Sequence, residues 1–190
     1  MKFTIICDPI VSLEGSVRPA LVLAAKLVEK FTVKILSPYI KREVEEALLE
    51  KGLTTISLSS RLLLGGLGSS ALWLEAWMRE AFFKFNSKRI TEKPDYIINF
   101  SHTIATLTNI WYTQGPPSLA INDIKNECMG IFKALYAFIG PVLAHADCKF
   151  IRQSASSTEV VIANSRFCAS MYEKYGVKIH KVIYPPIDLN

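Results

Sequence analysis

The chain is 190 residues long, is 50% hydrophobic and 21% charged, and has a formal net charge of +5. Its length suits one domain with a full core, and its composition excludes a disordered polypeptide. The positive charges are spread along the chain without a long Lys/Arg block, which argues against a dedicated nucleic-acid surface. A phosphate group or an acidic lipid surface remains open as an anionic partner.

Apolar runs of strand length alternate with longer helical patterns along almost the whole chain. This alternation predicts an α/β domain with a doubly wound, Rossmann-like parallel sheet and helices on both faces. The predicted strands are residues 3–7, 32–37, 54–58, 96–101, 108–113, 160–163 and 182–184. The predicted helices are residues 17–30, 40–51, 70–85 and 128–146, followed by one that Ser165 caps and Gly176 ends.

The four cysteines lie far apart and lack the paired spacings that zinc sites or redox pairs require. They are Cys7, Cys128, Cys148 and Cys168. We interpret them as buried thiols in a reducing cytoplasm. The first apolar run, Phe3 to Cys7, is too short for a signal peptide, so we expect a cytoplasmic protein.

Two stretches are apolar enough to raise the question of a membrane. Residues 129–146 approach spanning length, but they contain Lys133, His145 and a potential break at Gly140-Pro141, so we expect a buried helix there. Residues 62–93 place aromatic side chains before basic ones, which suits the headgroup region of an anionic membrane. The candidate membrane or acceptor contacts are Trp73, Trp77, Lys84 and Lys88.

The competing interpretation of residues 62–93 is an amphipathic helix packed on the sheet. Glu75-Arg79 and Glu80-Lys84 would then be ordinary i,i+4 ion pairs on its solvent side. The sequence does not decide between a membrane contact and a core helix. A membrane contact would place the protein at the inner face of the cell membrane.

The most specific pattern lies near the carboxyl terminus. A strand ending in Ala163-Asn164-Ser165 precedes a helix, and a second strand ends in Tyr184-Pro185-Pro186-Ile187-Asp188. This string resembles the end of the N-terminal domain of GT-B fold, family 4-like glycosyltransferases, which transfer sugars with retention of configuration. The resemblance implies an acceptor-side N-terminal domain over residues 1–184 and the start of an interdomain linker over 185–190. It also implies a C-terminal nucleotide-sugar domain that this chain does not contain.

The first loop, Asp8 to Ser16, leaves the end of the first predicted strand, where doubly wound sheets bind ligands. Gly15 would let a ligand approach the backbone closely, and Ser16 begins a helix whose free N–H groups favour an anion. A capped helix after a plain turn would explain the same residues. The resemblance implies that Gly15 and Ser16 lie against the donor diphosphate, although the family usually has two adjacent glycines and Glu14 stands here before Gly15.

Two candidate catalytic residues follow the next strands. His102 comes just after residues 96–101, where it could orient a sugar hydroxyl or transfer a proton, or simply bond the local backbone. Gln114 occupies a position at which the resembling family commonly has a histidine near the reacting sugar. Glutamine bonds hydroxyls but cannot titrate, so acid–base chemistry does not transfer to this position.

Asn164, Ser165 and Arg166 face the same predicted edge of the sheet, so we consider them for donor binding. Arg166 could neutralise a phosphate. Helix capping by Ser165 and a solvated Arg166 are the simpler interpretations.

Residues 66–71 match the glycine spacing of a dinucleotide fingerprint. A true fingerprint follows the first strand of its unit, and an acidic residue at the end of the next strand binds the ribose. Here the next strand ends in Asn99-Phe100-Ser101, without an acidic residue. We therefore favour a glycine-rich hinge or lid over a nicotinamide-dependent oxidoreductase.

The sequence thus predicts one half of a glycosyltransferase, inactive without its C-terminal domain. It would move a sugar from a nucleoside diphosphate sugar to a glycan or lipid-linked acceptor, with no metal and no further cofactor. The alternatives are a non-catalytic doubly wound subunit that completes a site with a partner chain and a peripheral membrane adaptor. These residues do not indicate which sugar is the donor or which acceptor receives it.

Overall fold

The computed structural model describes residues 1–59, 63, 69–90, 94–119 and 131–186. Within these ranges the backbone forms seven strands. They are β1 (Lys2–Ile6), β2 (Thr32–Ser37), β3 (Thr54–Ser57), β4 (Tyr96–Asn99), β5 (Thr108–Thr113), β6 (Thr158–Ala163) and β7 (Lys181–Val182). All neighbours pair in parallel, in the order β3-β2-β1-β4-β5-β6-β7.

In the described ranges five α-helices connect these strands and cover both faces of the sheet, and residues 117–119 are also helical. The five helices are α1 (Arg18–Leu27), α2 (Arg42–Glu50), α3 (Ser69–Phe83), α4 (Ile131–Ser156) and α5 (Arg166–Glu173). A short 3-10 turn, Gly15–Val17, precedes α1, and a second one, Ser87–Arg89, follows α3. The doubly wound α/β fold that the sequence predicts is therefore confirmed, and it is consistent with the N-terminal half of a GT-B architecture.

The core lies on both sides of the sheet because parallel strands with helices on each face must bury both rows of side chains. The larger cluster joins β1 and β2 to α1 and α2 through residues such as Ile5, Ile35 and Leu48. A second cluster joins β5 and β6 to α4 and α5 around Trp111 and Tyr172. Burial on both faces explains why the strands are continuous apolar runs in the sequence.

Most predicted elements differ from the observed ones by only a few residues at their ends, but the prediction for α4 needs a larger correction. This helix passes through Gly140 and Pro141 without interruption and ends at Ser156, ten residues beyond the predicted end. Leu143, Ala146 and Phe150 are buried at helical spacing, and Phe150 and Ile151 lie in the cluster around Trp111. Tertiary packing therefore overrides the local break signal.

The predicted solvent-side ion pairs of α3 also need correction. Glu75 does pair with Arg79, but the Glu75 side chain is buried. Glu80 is buried as well, and its carboxylate accepts hydrogen bonds from the main-chain N–H groups of Asn86, Ser87 and Ala105. Glu80 thus accepts hydrogen bonds from main-chain N–H groups in the turn after α3, in place of the predicted ion pair with Lys84.

None of the helices in the described ranges is long and apolar enough to cross a membrane. Cys7 and Cys168 are buried and Cys148 is half-buried, and these three are free thiols. Cys128 lies outside the described residues, as do Gly66 and Gly68 of the fingerprint-like segment and Asp188 of the expected linker.

Candidate functional site

The strand order reverses between β1 and β4, since the chain builds β2 and β3 on one side of β1 and β4 to β7 on the other. In open α/β sheets such a switch point leaves a crevice outside the carboxyl ends of the strands, where ligands bind. Asp8 follows β1 and the segment Ser101–His102–Thr103 follows β4, so both reach the same point.

A buried polar cluster centred on the Asp8 carboxylate occupies this switch point. Its Oδ1 accepts hydrogen bonds from Ser101 Oγ at 2.7 Å, from the His102 main-chain N–H at 2.9 Å and from Thr103 Oγ1 at 2.9 Å. The Asp8 carbonyl accepts a further bond from Ser37 Oγ at the end of β2. These donors replace the water that a buried carboxylate loses.

The His102 side chain lies in this cluster, not on the open rim. Only 4% of the residue is exposed, its Nε2 lies 2.6 Å from the Tyr172 hydroxyl, and its Nδ1 lies 4.0 Å from Asp8 Oδ2. The ring packs against both Trp111 and Tyr172, which also contact each other edge to face. The prediction that His102 follows β4 is confirmed. The ring does not lie on the open edge where the sequence placed it, because Tyr172 of α5 covers it. A catalytic role for His102 stays a prediction.

Burial also sets the protonation of this cluster. Removal from water lowers the pKa of His102, and the carboxylates of Asp8 and Asp147 oppose that shift only in part. The pKa of Tyr172 is raised well above its ordinary value, mainly by burial. At neutral pH the pair is therefore an uncharged imidazole bonded to an uncharged phenol.

Asp147 of α4 is a site residue that the sequence interpretation missed. Its Oδ2 accepts from the Ser118 main-chain N–H at 2.8 Å, while Oδ1 is buried without a hydrogen-bond partner in the described part of the chain. Burial raises its pKa, and its charge reaches His102. The one available signal was that Asp147 is the single acidic residue of α4. Asp8 had a clearer signal, a carboxylate two residues after the end of β1, in the first loop of the sheet.

A second group of polar residues forms a row along the carboxyl edge of the sheet. Gln114, directly after β5, donates through Nε2 to the Ser16 carbonyl at 2.8 Å and so fixes the first loop against the sheet. The Asn164 main-chain N–H, directly after β6, donates to the Thr113 carbonyl at 3.0 Å. The structure thus brings Ser16, Gln114 and Asn164 together.

Gly15 lies at the exposed end of this row. Its φ of +74° is the left-handed conformation that glycine adopts readily, and a Cβ placed there would meet no atom within 4 Å. The space beside the Gly15 backbone is therefore open. Ser16 is exposed in the 3-10 turn that leads into α1.

Ser165 and Arg166 begin α5 beside Asn164. Ser165 Oγ accepts from the Cys168 main-chain N–H at 3.0 Å, which confirms helix capping, and it donates to Asn164 Oδ1. The Arg166 side chain is exposed at the first position of the helix. A cation at this position can reach a ligand in front of the helix N-terminus.

The candidate membrane contacts divide into two groups. Trp77 is fully buried against Leu143 and Ala146 of α4, and Trp73 is half-buried beside it, so Trp77 cannot touch a membrane surface. Lys84 and Lys88 are exposed after the end of α3. The packing of α3 against α4 therefore excludes Trp77 as a membrane contact, whereas Lys84 and Lys88 are exposed.

Neither a metal site nor a dinucleotide site gains support from the described residues. No group of three or more His, Cys, Asp or Glu side chains among them could hold a metal ion. The fingerprint-like segment follows β3, which is the edge strand of the sheet and lies two strands from the switch point. In open α/β sheets ligands bind at the switch point, and β3 does not border it.

The fold and the crevice define an open, doubly wound α/β domain with its candidate site at the switch point. No protein-family model and no curated protein matches the chain. Among solved structures it is similar to Anabaena Alr3699/HepE in complex with UDP, with a TM-score of 0.53 and 12% identity over 99% of this chain. The complex of the same protein with UDP-glucose gives a TM-score of 0.54 and 11% identity. The chain spans 45% and 44% of those two chains, so it matches less than half of their length.

Proposed function

We propose that this chain is the acceptor-side N-terminal domain of a glycosyltransferase. The enzyme would move a sugar from a nucleoside diphosphate sugar to a glycan or lipid-linked acceptor with retention of configuration. The observation that carries the proposal is the row of polar groups along the carboxyl edge, in a fold similar to that of a protein solved with UDP and UDP-glucose. The similarity of residues 159–188 to family 4-like enzymes supports retention and the GT-B architecture.

In this proposal the open end of the row completes the diphosphate pocket. Main-chain N–H groups near Gly15 and Ser16 can approach phosphate oxygens because no side chain fills the space beside Gly15. The exposed guanidinium of Arg166 offers a charge-assisted hydrogen bond to the same anion. Ser165 holds the start of α5, and with it Arg166, in place.

Gln114 and Asn164 would orient sugar hydroxyls. Each amide can donate and accept, which suits a neutral polyol, and neither can take up a proton. His102 would act behind this row as a positioning residue, because its ring is buried against Tyr172 and Asp8. We assign no general acid or base among the described residues and no cofactor beyond the nucleotide sugar.

The test is a sugar-transfer assay on the protein expressed from its natural gene, with UDP-glucose as the first donor. Arg166→Ala should raise the KM for the donor about tenfold, since a hydrogen bond to a charged group contributes about 1.5–3 kcal/mol. Arg42→Ala is the matched control, because Arg42 is likewise the exposed first residue of a helix. The KM of that variant should stay unchanged.

Two results would count against the proposal. Equal KM values for the donor in the two arginine variants would contradict a donor-binding role of Arg166. If the protein neither bound nor used any nucleotide sugar in a panel, the proposal that it is a glycosyltransferase would be contradicted. If transfer appeared only after a second polypeptide was added, the chain would instead be the non-catalytic subunit of a shared site.

A further inference from the structure

The end of α3 exposes large apolar side chains. Phe83 is 70% exposed, Phe82 45% and Met78 40%. Met78 and Phe82 are four residues apart and share one face of the helix. Exposed Lys84 and Lys88 follow directly. We call Met78, Phe82, Phe83, Lys84 and Lys88 the α3-end patch.

The patch is held in place by buried contacts beneath it. The Asn86 side chain donates to the carbonyls of Ala76 at 3.2 Å and Thr103 at 3.0 Å, and its main-chain N–H donates to Glu80 at 2.8 Å. The chain turns inward to these partners at Lys84, whose φ is +51°. Phe82 and Phe83 are thus left outside by a fixed turn, and their exposure does not come from a frayed helix end.

The charge of this segment has one sign. Residues 81–90 contain Lys84, Lys88 and Arg89 and no acidic residue. Arg89 is already engaged, since its guanidinium lies 4.4 Å from the centre of the Phe85 ring and donates to the Leu58 carbonyl. Lys84 and Lys88 are the cations that flank the exposed phenylalanines.

We propose that the α3-end patch binds the surface of an anionic phospholipid membrane. Phenyl rings gain free energy by leaving water for the acyl boundary, and lysines gain it from the negative surface potential of acidic lipids. A soluble anion would use the lysines but would leave Phe82 and Phe83 in water. Of the two tryptophans expected to contact a membrane, Trp77 is fully buried against α4 and Trp73 is half-buried.

Membrane binding at the patch would bring the crevice close to the lipid headgroups. Asn86 beneath the patch bonds the Thr103 carbonyl, and the Thr103 hydroxyl donates to Asp8 at the switch point. The two regions are therefore joined through three side chains. The binding itself does not depend on sugar transfer and can be tested separately from it.

The test is co-sedimentation of the protein from its natural gene with two kinds of vesicle. One contains phosphatidylcholine alone, and the other contains two parts phosphatidylcholine to one part phosphatidylglycerol. We expect binding to the anionic vesicles that weakens as salt is raised. Lys84→Gln and Lys88→Gln should each weaken it about fivefold, and the double change Phe82→Ser with Phe83→Ser should weaken it about tenfold or more.

Matched controls separate the patch from general charge and hydrophobicity. Leu107→Ser removes an apolar side chain that is more exposed than Phe83, and Lys174→Gln removes an exposed lysine at the end of α5. Both controls should bind like the parent protein. Equal binding to neutral vesicles, no binding to either kind, or equal losses in patch and control variants would overturn the proposal. Sugar transfer to a soluble acceptor, measured in parallel, reports on the enzyme irrespective of these outcomes.

Discussion

The identity of a residue and its place in the chain do not decide its chemistry at the switch point of this sheet. His102 follows a strand end as a site histidine would, yet its ring is buried against Trp111 and Tyr172. An imidazole without water around it is held in the neutral form and bonds a phenol whose proton is also retained. The environment therefore makes His102 a structural link between β4 and α5.

This environment predicts how stability depends on pH. The pKa of His102 is lower in the folded protein than the value of about 6.5 in the unfolded chain. As pH falls below that value the unfolded chain binds the proton first, so stability is lost from about pH 6.5 down through the folded pKa. The expected loss is at most about 1.4 kcal/mol per pH unit.

His102→Gln should abolish this part of the pH dependence while keeping a polar contact to Tyr172. Urea unfolding of both proteins between about pH 7.5 and 5 measures it. Asp147 acts in the opposite direction, because its raised pKa adds stability as pH falls, but it is present in both proteins. Parallel stability curves for the two proteins would show that His102 does not titrate in this window.

Among the elements, α4 shows how packing overrides local signals. Pro141 removes a main-chain hydrogen bond from the helix interior, and Gly140 before it favours no helix. The helix continues because Leu143 and Ala146 pack on Trp77 and because Phe150 and Ile151 pack in the cluster around Trp111. One continuous helix thus supports both α3 and the strands beneath the site.

Two glycines give a matched test of backbone conformation in these elements. Gly140 lies within α4 with open space where the methyl group of an alanine would stand, whereas Gly176 ends the turn after α5 at a φ of +77°. Gly140→Ala should stabilise the protein by about 0.5–1 kcal/mol. Gly176→Ala should destabilise it by about 1–2 kcal/mol, since a Cβ is strained in the left-handed region.

Thermal and urea unfolding of the two glycine variants would measure both effects. Changes of the same sign would contradict the assigned backbone effect at the two positions, because the substitution is identical and only the backbone conformation differs.

For the whole molecule, the informative fact is partial coverage. The structural similarity covers 99% of this chain but only 45% of the chain of Anabaena Alr3699/HepE in complex with UDP. A crevice built from one sheet edge leaves one side open, and in the proposed enzyme a second domain would close it. The donor specificity would then lie in residues outside this sequence.

The intact mass of the protein expressed from its natural gene tests this proposal. We expect about twice the mass of these 190 residues, because a second domain of similar size would accompany them. Mass spectrometry of the purified product gives the answer directly. A product with the mass of this chain alone would contradict the single-chain enzyme and direct the search to a partner subunit.

The sequence by itself determined the order and type of the strands and helices and the cap at Ser165. These features depend on local periodicity and on main-chain groups that near neighbours satisfy. It also placed Gln114 and Asn164 directly after strands, and Gly15 and Ser16 in the loop after β1, at ends that become one edge in a parallel sheet.

Only the tertiary structure decided which of these residues meet solvent. Covering helices bury His102, Trp77 and Glu80 and leave Phe82 and Phe83 outside, and that choice depends on contacts between residues far apart in the chain. Asp147 belongs to the site for the same reason, because α4 brings it to the strand ends. Its hydrogen-bond partner, Ser118, lies 29 residues earlier in the chain. Burial, and the protonation that follows from it, are properties of the assembled layers and have no local signature.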